Sequence, residues 1–242
     1  MTTESQDAPQ MRWTWTMPAT PAILSGFGAA FCVVIAIILF ALAVWVARVQ
    51  SLGVGAFMLA MTAVIVLMAL YVARDARGKW GGRITIDGGR IALDLPPGRS
   101  LVYDPPACKT DFPLADIAAV ETRLVALSSL GAANMQRPYR IVKRDGPEIF
   151  LFEDRALGTV LATPAHDGVA GEIARRAGAP LNDLGMARGS AGLLGVAFVR
   201  PPAWSDQALP KGAETRLWRS ARFTGLIALV AVFLAFVLFL IF

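Results

Sequence analysis

Three stretches of this chain carry no Asp, Glu, Lys, Arg or His, and nothing else in the sequence restricts its fold so tightly. They are Ala22 to Ala47, Leu52 to Ala73 and Phe223 to Phe242. As helices rising ~1.5 Å per residue, about 20 such residues cross a ~30 Å hydrocarbon core. Lipid offers the backbone no hydrogen-bonding partner, so helix is the form such stretches must take. Composition agrees, since only 17% of residues are charged and 55% are hydrophobic, whereas soluble domains carry about 25% charge. The expectation is an α+β membrane protein with a two-helix hairpin over 22–73, a water-exposed middle and a third membrane helix over 223–242.

Four residues, Arg48 to Ser51, separate the first two runs, so these form a tight antiparallel hairpin whose outer ends share one side. Arg74, Arg77, Lys79 and Arg83 follow the hairpin, and Lys211, Arg216, Arg219 and Arg222 precede the third run. Positive charge marks the cytoplasmic side, which puts the N-terminus and the middle portion inside and the C-terminus outside. The same eight residues are the candidate contacts to anionic headgroups. Trp13, Trp15, Trp45, Trp80 and Trp218 lie near helix ends, as interfacial anchors do. Residues 1–21 read as a polar tail ahead of an uncleaved anchor, because Glu4 and Asp7 precede an apolar run longer than a signal peptide's. Small-residue pairs at Gly26 and Ala30, Ala56 and Ala60, and Ala231 and Ala235 have the spacing of a close helix contact.

From Trp80 to Pro210 fourteen basic residues meet fourteen acidic ones. A nucleic-acid-binding domain would itself be basic, so the expected partners are the bilayer and a protein, not nucleic acid. Ile84 and Ile86, the turn Asp87-Gly88-Gly89, and Ile91, Leu93 and Leu95 spell a β-hairpin. Leu101 to Tyr103 fits a short edge strand and Ile117 to Val125 another strand. Tyr139 to Arg144 and Glu148 to Phe152 form a second hairpin around Asp145-Gly146, and Gly158 to Ala162 a last strand. Thr163 can cap a helix with Pro164 at its first position. Val169, Ile173 and Ala177 give that helix an apolar stripe, Glu172 meets Arg175 and Arg176, and Gly178 ends it. Residues 182–222 read as a Gly- and Pro-containing linker with a basic juxtamembrane end, in which Ala191 to Val199 with Trp204 is either packed on the domain or interfacial.

This order of short strands and one closing helix, with Phe112-Pro113-Leu114-Ala115-Asp116-Ile117 entering a strand, resembles the bacterial pleckstrin-homology-like (PH-like) domains attached to membrane helices. The resemblance spans residues 83–181. It implies a small barrel or sandwich closed by a C-terminal helix, set in the bacterial inner membrane and serving binding and assembly. Phosphoinositide binding is not implied, since the first hairpin turn offers only Arg90.

Motifs for catalysis fall short. Gly78-Lys79-Trp80-Gly81-Gly82 lacks the spacing and the hydroxyl residue of a phosphate loop, and Gly189-Ser190-Ala191-Gly192 misses that of a nucleophile elbow. Glu153, Asp154 and Arg155 read as a solvated turn. Cys32 and Cys108 are too differently placed for a disulfide, and His166 is the single histidine. No catalytic, metal or cofactor residue is expected. The function expected is a non-enzymatic assembly or scaffold factor whose cytoplasmic domain binds a protein, with an anionic-lipid sensor or a membrane-embedded enzyme as alternatives.

Overall fold

The computed structural model describes residues 12–49, 51–100, 105–129, 132–155, 166–190 and 201–213, together with 215–217, 219, 227 and 230. Strand β1 (Trp13–Thr16) leads directly into helices α1 (Ala19–Val49) and α2 (Leu52–Gly78). Both are long and apolar enough to cross a membrane. Their bulky side chains point outward, with Phe27 at 70%, Phe31 at 67% and Phe57 at 67% exposed. A core helix of a soluble protein would hide such residues, so the exposure favours lipid as the solvent of this pair.

The helices meet along a seam of small residues. Ala22, Ala36 and Ala43 of α1 and Gly55, Thr62 and Ala69 of α2 are buried, at intervals of seven or fourteen residues. That period follows a left-handed helix pair. The spacing of four expected from Gly26 and Ala30, or Ala56 and Ala60, does not mark the contact: all four are exposed, because a seven-residue seam turns them away from the partner helix. At the tight end, a β-carbon on Gly55 would lie 2.4 Å from that of Ala47.

The rest is a sheet domain. After α2 come β2 (Arg83–Asp87), β3 (Arg90–Leu95) and β4 (Cys108–Pro113). A 3-10 turn at Leu114–Asp116 then leads to β5 (Ile117–Ser129), β6 (Ala132–Lys143) and β7 (Ile149–Asp154), followed by α3 (Asp167–Ala177) and β8 (Leu181–Ser190). One sheet has the order β1-β2-β3-β4, the other β7-β6-β5-β8. The expected first hairpin is present, and its two-residue turn has Gly88 and Gly89 at φ 53° and 78°, as a type I′ turn requires. Ile84, Ile86, Ile91 and Leu93 of the first sheet share one core with Val120, Tyr139, Ile141 and Leu151 of the second and with Ile173 of α3. Gly178 ends α3 in the left-handed conformation. Hydrogen bonds from Arg175 and then Arg176 hold the Glu172 carboxyl down at about 2.

Several expectations change. Residues 13–16, assigned to a polar tail, form β1 and pair with β2 from Trp13↔Ile86 to Thr16↔Arg83. Residues 181–190, assigned largely to a linker, form β8, parallel to β5. The described strands do not close a barrel, because the 3-10 turn at Leu114–Asp116 redirects the chain after β4 into a second sheet. The helix expected to start at Thr163 and Pro164 begins instead at Asp167, after a non-helical His166. The expected strands at Leu101 to Tyr103 and Gly158 to Ala162 and the Ala191 to Val199 segment lie outside the described residues. So does the third membrane helix over 223–242, apart from Ile227 and Val230.

Replacing Gly55 by Val drives a side chain into the Ala47 backbone and should destabilise the hairpin by about 1–3 kcal/mol. Thermal unfolding in detergent checks this. Gly53→Val, where a β-carbon meets nothing closer than the Ser51 hydroxyl at 3.7 Å, should leave the midpoint nearly unchanged.

Candidate functional site

The helix hairpin is an insertion between two paired strands. β1 enters α1 through Met17 and Pro18, α2 returns to β2 through residues 79–82, and the Met17 amide donates to the Gly82 carbonyl at 2.7 Å. The helix ends are therefore clamped against the sheet domain, and polar side chains gather at that junction.

Helix α2 runs past the apolar stretch to Gly78, and the added turn carries Asp75 to the domain. One Asp75 oxygen accepts from the Lys79 ammonium at 2.5 Å and from the Ser25 hydroxyl at 3.0 Å. The other accepts from the Arg155 guanidinium. Arg155 also donates to Glu153 at 2.6 Å and to the Arg99 carbonyl at 3.0 Å, while the Ser100 hydroxyl donates to Glu153. Two carboxylates thus face two cations across the hairpin and the domain. Burial lowers the pKa of Lys79, opposed by the Glu153 carboxylate. Burial also brings Arg155 down to about 10.

Arg99, 4% exposed, fastens the loop after β3. Its guanidinium donates to the carbonyls of Leu151 at 3.0 Å, Phe150 at 2.8 Å and Pro106 at 2.9 Å, and also to that of Pro96. Desolvation brings it to about 10 as well. Beside it α2 and this loop touch backbone to backbone, since a β-carbon on Gly78 would lie 2.1 Å from the Gly98 carbonyl oxygen.

Strand alternation sends Asp154, between Glu153 and Arg155, to the opposite side. There it accepts from the Tyr139 hydroxyl at 2.9 Å and meets His166 Nδ1 at 2.5 Å. The imidazole stacks on Phe152 at 4.5 Å, and Trp15 packs against both rings, 5.4 Å from Phe152 and 5.6 Å from His166. A second carboxylate, Asp167, also takes the Tyr139 hydroxyl. Burial first, then these carboxylates, raise the Tyr139 pKa.

Several sequence-derived assignments are corrected here. Glu153, Asp154 and Arg155 are not a solvated turn: they are 4%, 1% and 5% exposed, because each has an oppositely charged or hydrogen-bonding partner inside. Lys79 turns inward to Asp75 instead of toward headgroups. Trp13 and Trp15 pack on the core as part of β1, drawn there by pairing with β2, instead of acting as interfacial anchors. Arg74, Arg77 and Arg83 are exposed beside the hairpin, as are Lys211, Arg216 and Arg219 in the later segment. Trp45 and Trp80 are exposed at 53% and 61%. Arg222 and Trp218 lie outside the described side chains. Asp75 has one signal in the sequence, as the lone acid among Arg74, Arg77 and Lys79. Among the described residues no group of three acidic, Cys or His side chains forms a metal site.

No protein-family model, no curated protein and no solved structure matches the chain. The physical character of the junction therefore rests on its own geometry. Its charges are bound to one another, which fits a mount between helices and sheets.

Arg155→Met strips Asp75 and Glu153 of their shared cation. Removing one partner of a buried pair costs about 3–5 kcal/mol, and unfolding of the purified protein should show a loss of that order. The Tyr139 phenol should stay protonated beyond its ordinary value of 10. With its folded pKa raised, its stabilising contribution is full below pH 10 and is lost as pH rises through the folded value. In an alkaline titration followed by phenolate absorbance, Tyr139→Phe should delete the last tyrosine step.

Proposed function

We propose that the chain is a non-enzymatic integral membrane protein whose cytoplasmic, PH-like sheet domain binds a protein partner, as an assembly or scaffold factor for a membrane complex. The observation that carries this reading is the mount: a hairpin inserted between paired strands and locked by Asp75, Lys79, Glu153 and Arg155. A domain held in one pose at a fixed distance from the bilayer can present a binding face to a membrane neighbour, which a flexible linker would not do. The PH-like assignment is supported by the order of four strands, three strands and a helix around one core. The inner-membrane orientation is supported by the basic residues beside the hairpin. Arg74, Arg77 and Arg83, exposed there, favour a second reading, in which the same domain senses anionic lipid.

Affinity capture from gently solubilised membranes separates these. Deleting residues 83–190 should remove specific partners captured by the full chain, and identical partner lists would overturn the protein-binding reading. Lipid sensing predicts instead that the full protein's association with anionic vesicles weakens with salt and with Arg74→Glu and Arg77→Glu. Protease added to intact spheroplasts should spare the sheet domain. Its digestion from outside would reverse the orientation.

A further inference from the structure

The two sheets leave an open seam. β4 ends one sheet and β7 begins the other, and between them lies a cleft of about 560 Å³, within the ~300–1,000 Å³ range of ligand sites. Cys108 and Thr110 of β4, Ile149 and Phe150 of β7, and Trp204 from the segment after β8 line it. Among the described residues no strand pairs with the outer edges of β4 and β7, and an edge strand presents backbone donors and acceptors to whatever lies beside it. The two edges are not equivalent. Arg99 already occupies the Phe150 and Leu151 carbonyls of β7, which leaves β4 as the edge open to a new strand.

Charge selects the occupant. Arg99, Arg140 and Lys143 line the cleft against one acid, Glu148. Arg140 is bound by Glu121 and Glu148 and stacks 4.3 Å from the Trp204 ring. The Lys143 ammonium lies 4.7 Å from the Phe112 ring centroid and has no carboxylate partner among the described residues. Apolar walls, a free strand edge and an unanswered cation together match an extended peptide that alternates apolar and acidic residues. One face of such a strand meets Ile149, Phe150 and Trp204, while its carboxylates meet Lys143.

We infer that this seam is the domain's docking site for an extended acidic segment of a partner protein, which adds as a strand to β4. The inference rests on the protein-binding reading above and names the face and the chemistry. The test uses the full-length protein in nanodiscs of phosphatidylcholine and a labelled peptide of alternating valine and glutamate carrying a benzophenone. Saturable binding is expected, with cross-links at Cys108 to Thr110. Lys143→Glu should weaken binding by about tenfold or more, Lys143→Gln less, and a valine–lysine peptide should not bind. Lys143 is half-buried and makes no ion pair among the described residues, and both variants are expected to melt close to the parent; if Lys143→Glu does not fold, Lys143→Gln decides. Absent saturable binding, equal binding of the two peptides, or unchanged affinity in the folded variant would overturn the inference. Partners still captured by Lys143→Glu but lost on deleting 83–190 would remove the seam and leave the protein-binding reading standing. Partners kept after the deletion would remove that reading itself.

Discussion

Pairing of β1 with β2 closes the chain around its helical hairpin, and most of the remaining architecture is a consequence. Two strands adjacent in a sheet are about 4.8 Å apart, so the helices that leave one and return to the other must begin and end close together. Ala19 and Gly78 bound the hairpin, and the Met17 to Gly82 hydrogen bond extends the ladder to its mouth. An apolar hairpin joined at one end would be free to swing. Joined at both ends, it shares the orientation of the sheet.

Pairing alone leaves the tilt between helices and sheets undefined, and the buried charges supply that. A buried ion pair gives little net stability over an apolar replacement, because desolvation offsets the Coulomb gain. Its geometric demand is strict, however. Lys79 meets Asp75 within the end of α2 and Glu153 meets Arg155 within the end of β7, so each charge is held in place by its neighbour, and the Asp75–Arg155 pair that crosses from helix to sheet sets the docking pose. The absence of side chains where Gly78 meets Gly98 allows α2 to approach the loop closely enough for that pose. Burial on both sides of β7 lowers the Lys79 pKa at the junction and raises that of Tyr139 on the opposite face, since it disfavours the charged form of each.

Legibility in the sequence followed the range of the forces involved. The turn at Gly88 and Gly89 and the stop at Gly178 were readable because positive φ is a local demand that glycine meets. The stripe on α3 was readable because Ile173 and its neighbours repeat with the helical period. β8 was not, since Leu181 to Ser190 contains no β-branched or aromatic residue and its strand form comes from the edge of β5. β1 left a signal in its alternation of Trp and Thr, which suits a pleated strand. Proximity to the apolar run gave those tryptophans a competing reading.

By itself the sequence determined that long helices without charge must exist and where they turn, because an apolar stretch has few ways to satisfy its backbone outside water. It also determined the local hairpins and the helix stop. Only the tertiary structure decided which strand pairs across the helical insertion and that Asp75 joins Arg155 from eighty positions away. It also brought the edges of β4 and β7 to one cleft. Contacts of that kind depend on where distant segments meet in space, and side-chain charge or polarity read along the chain does not encode it.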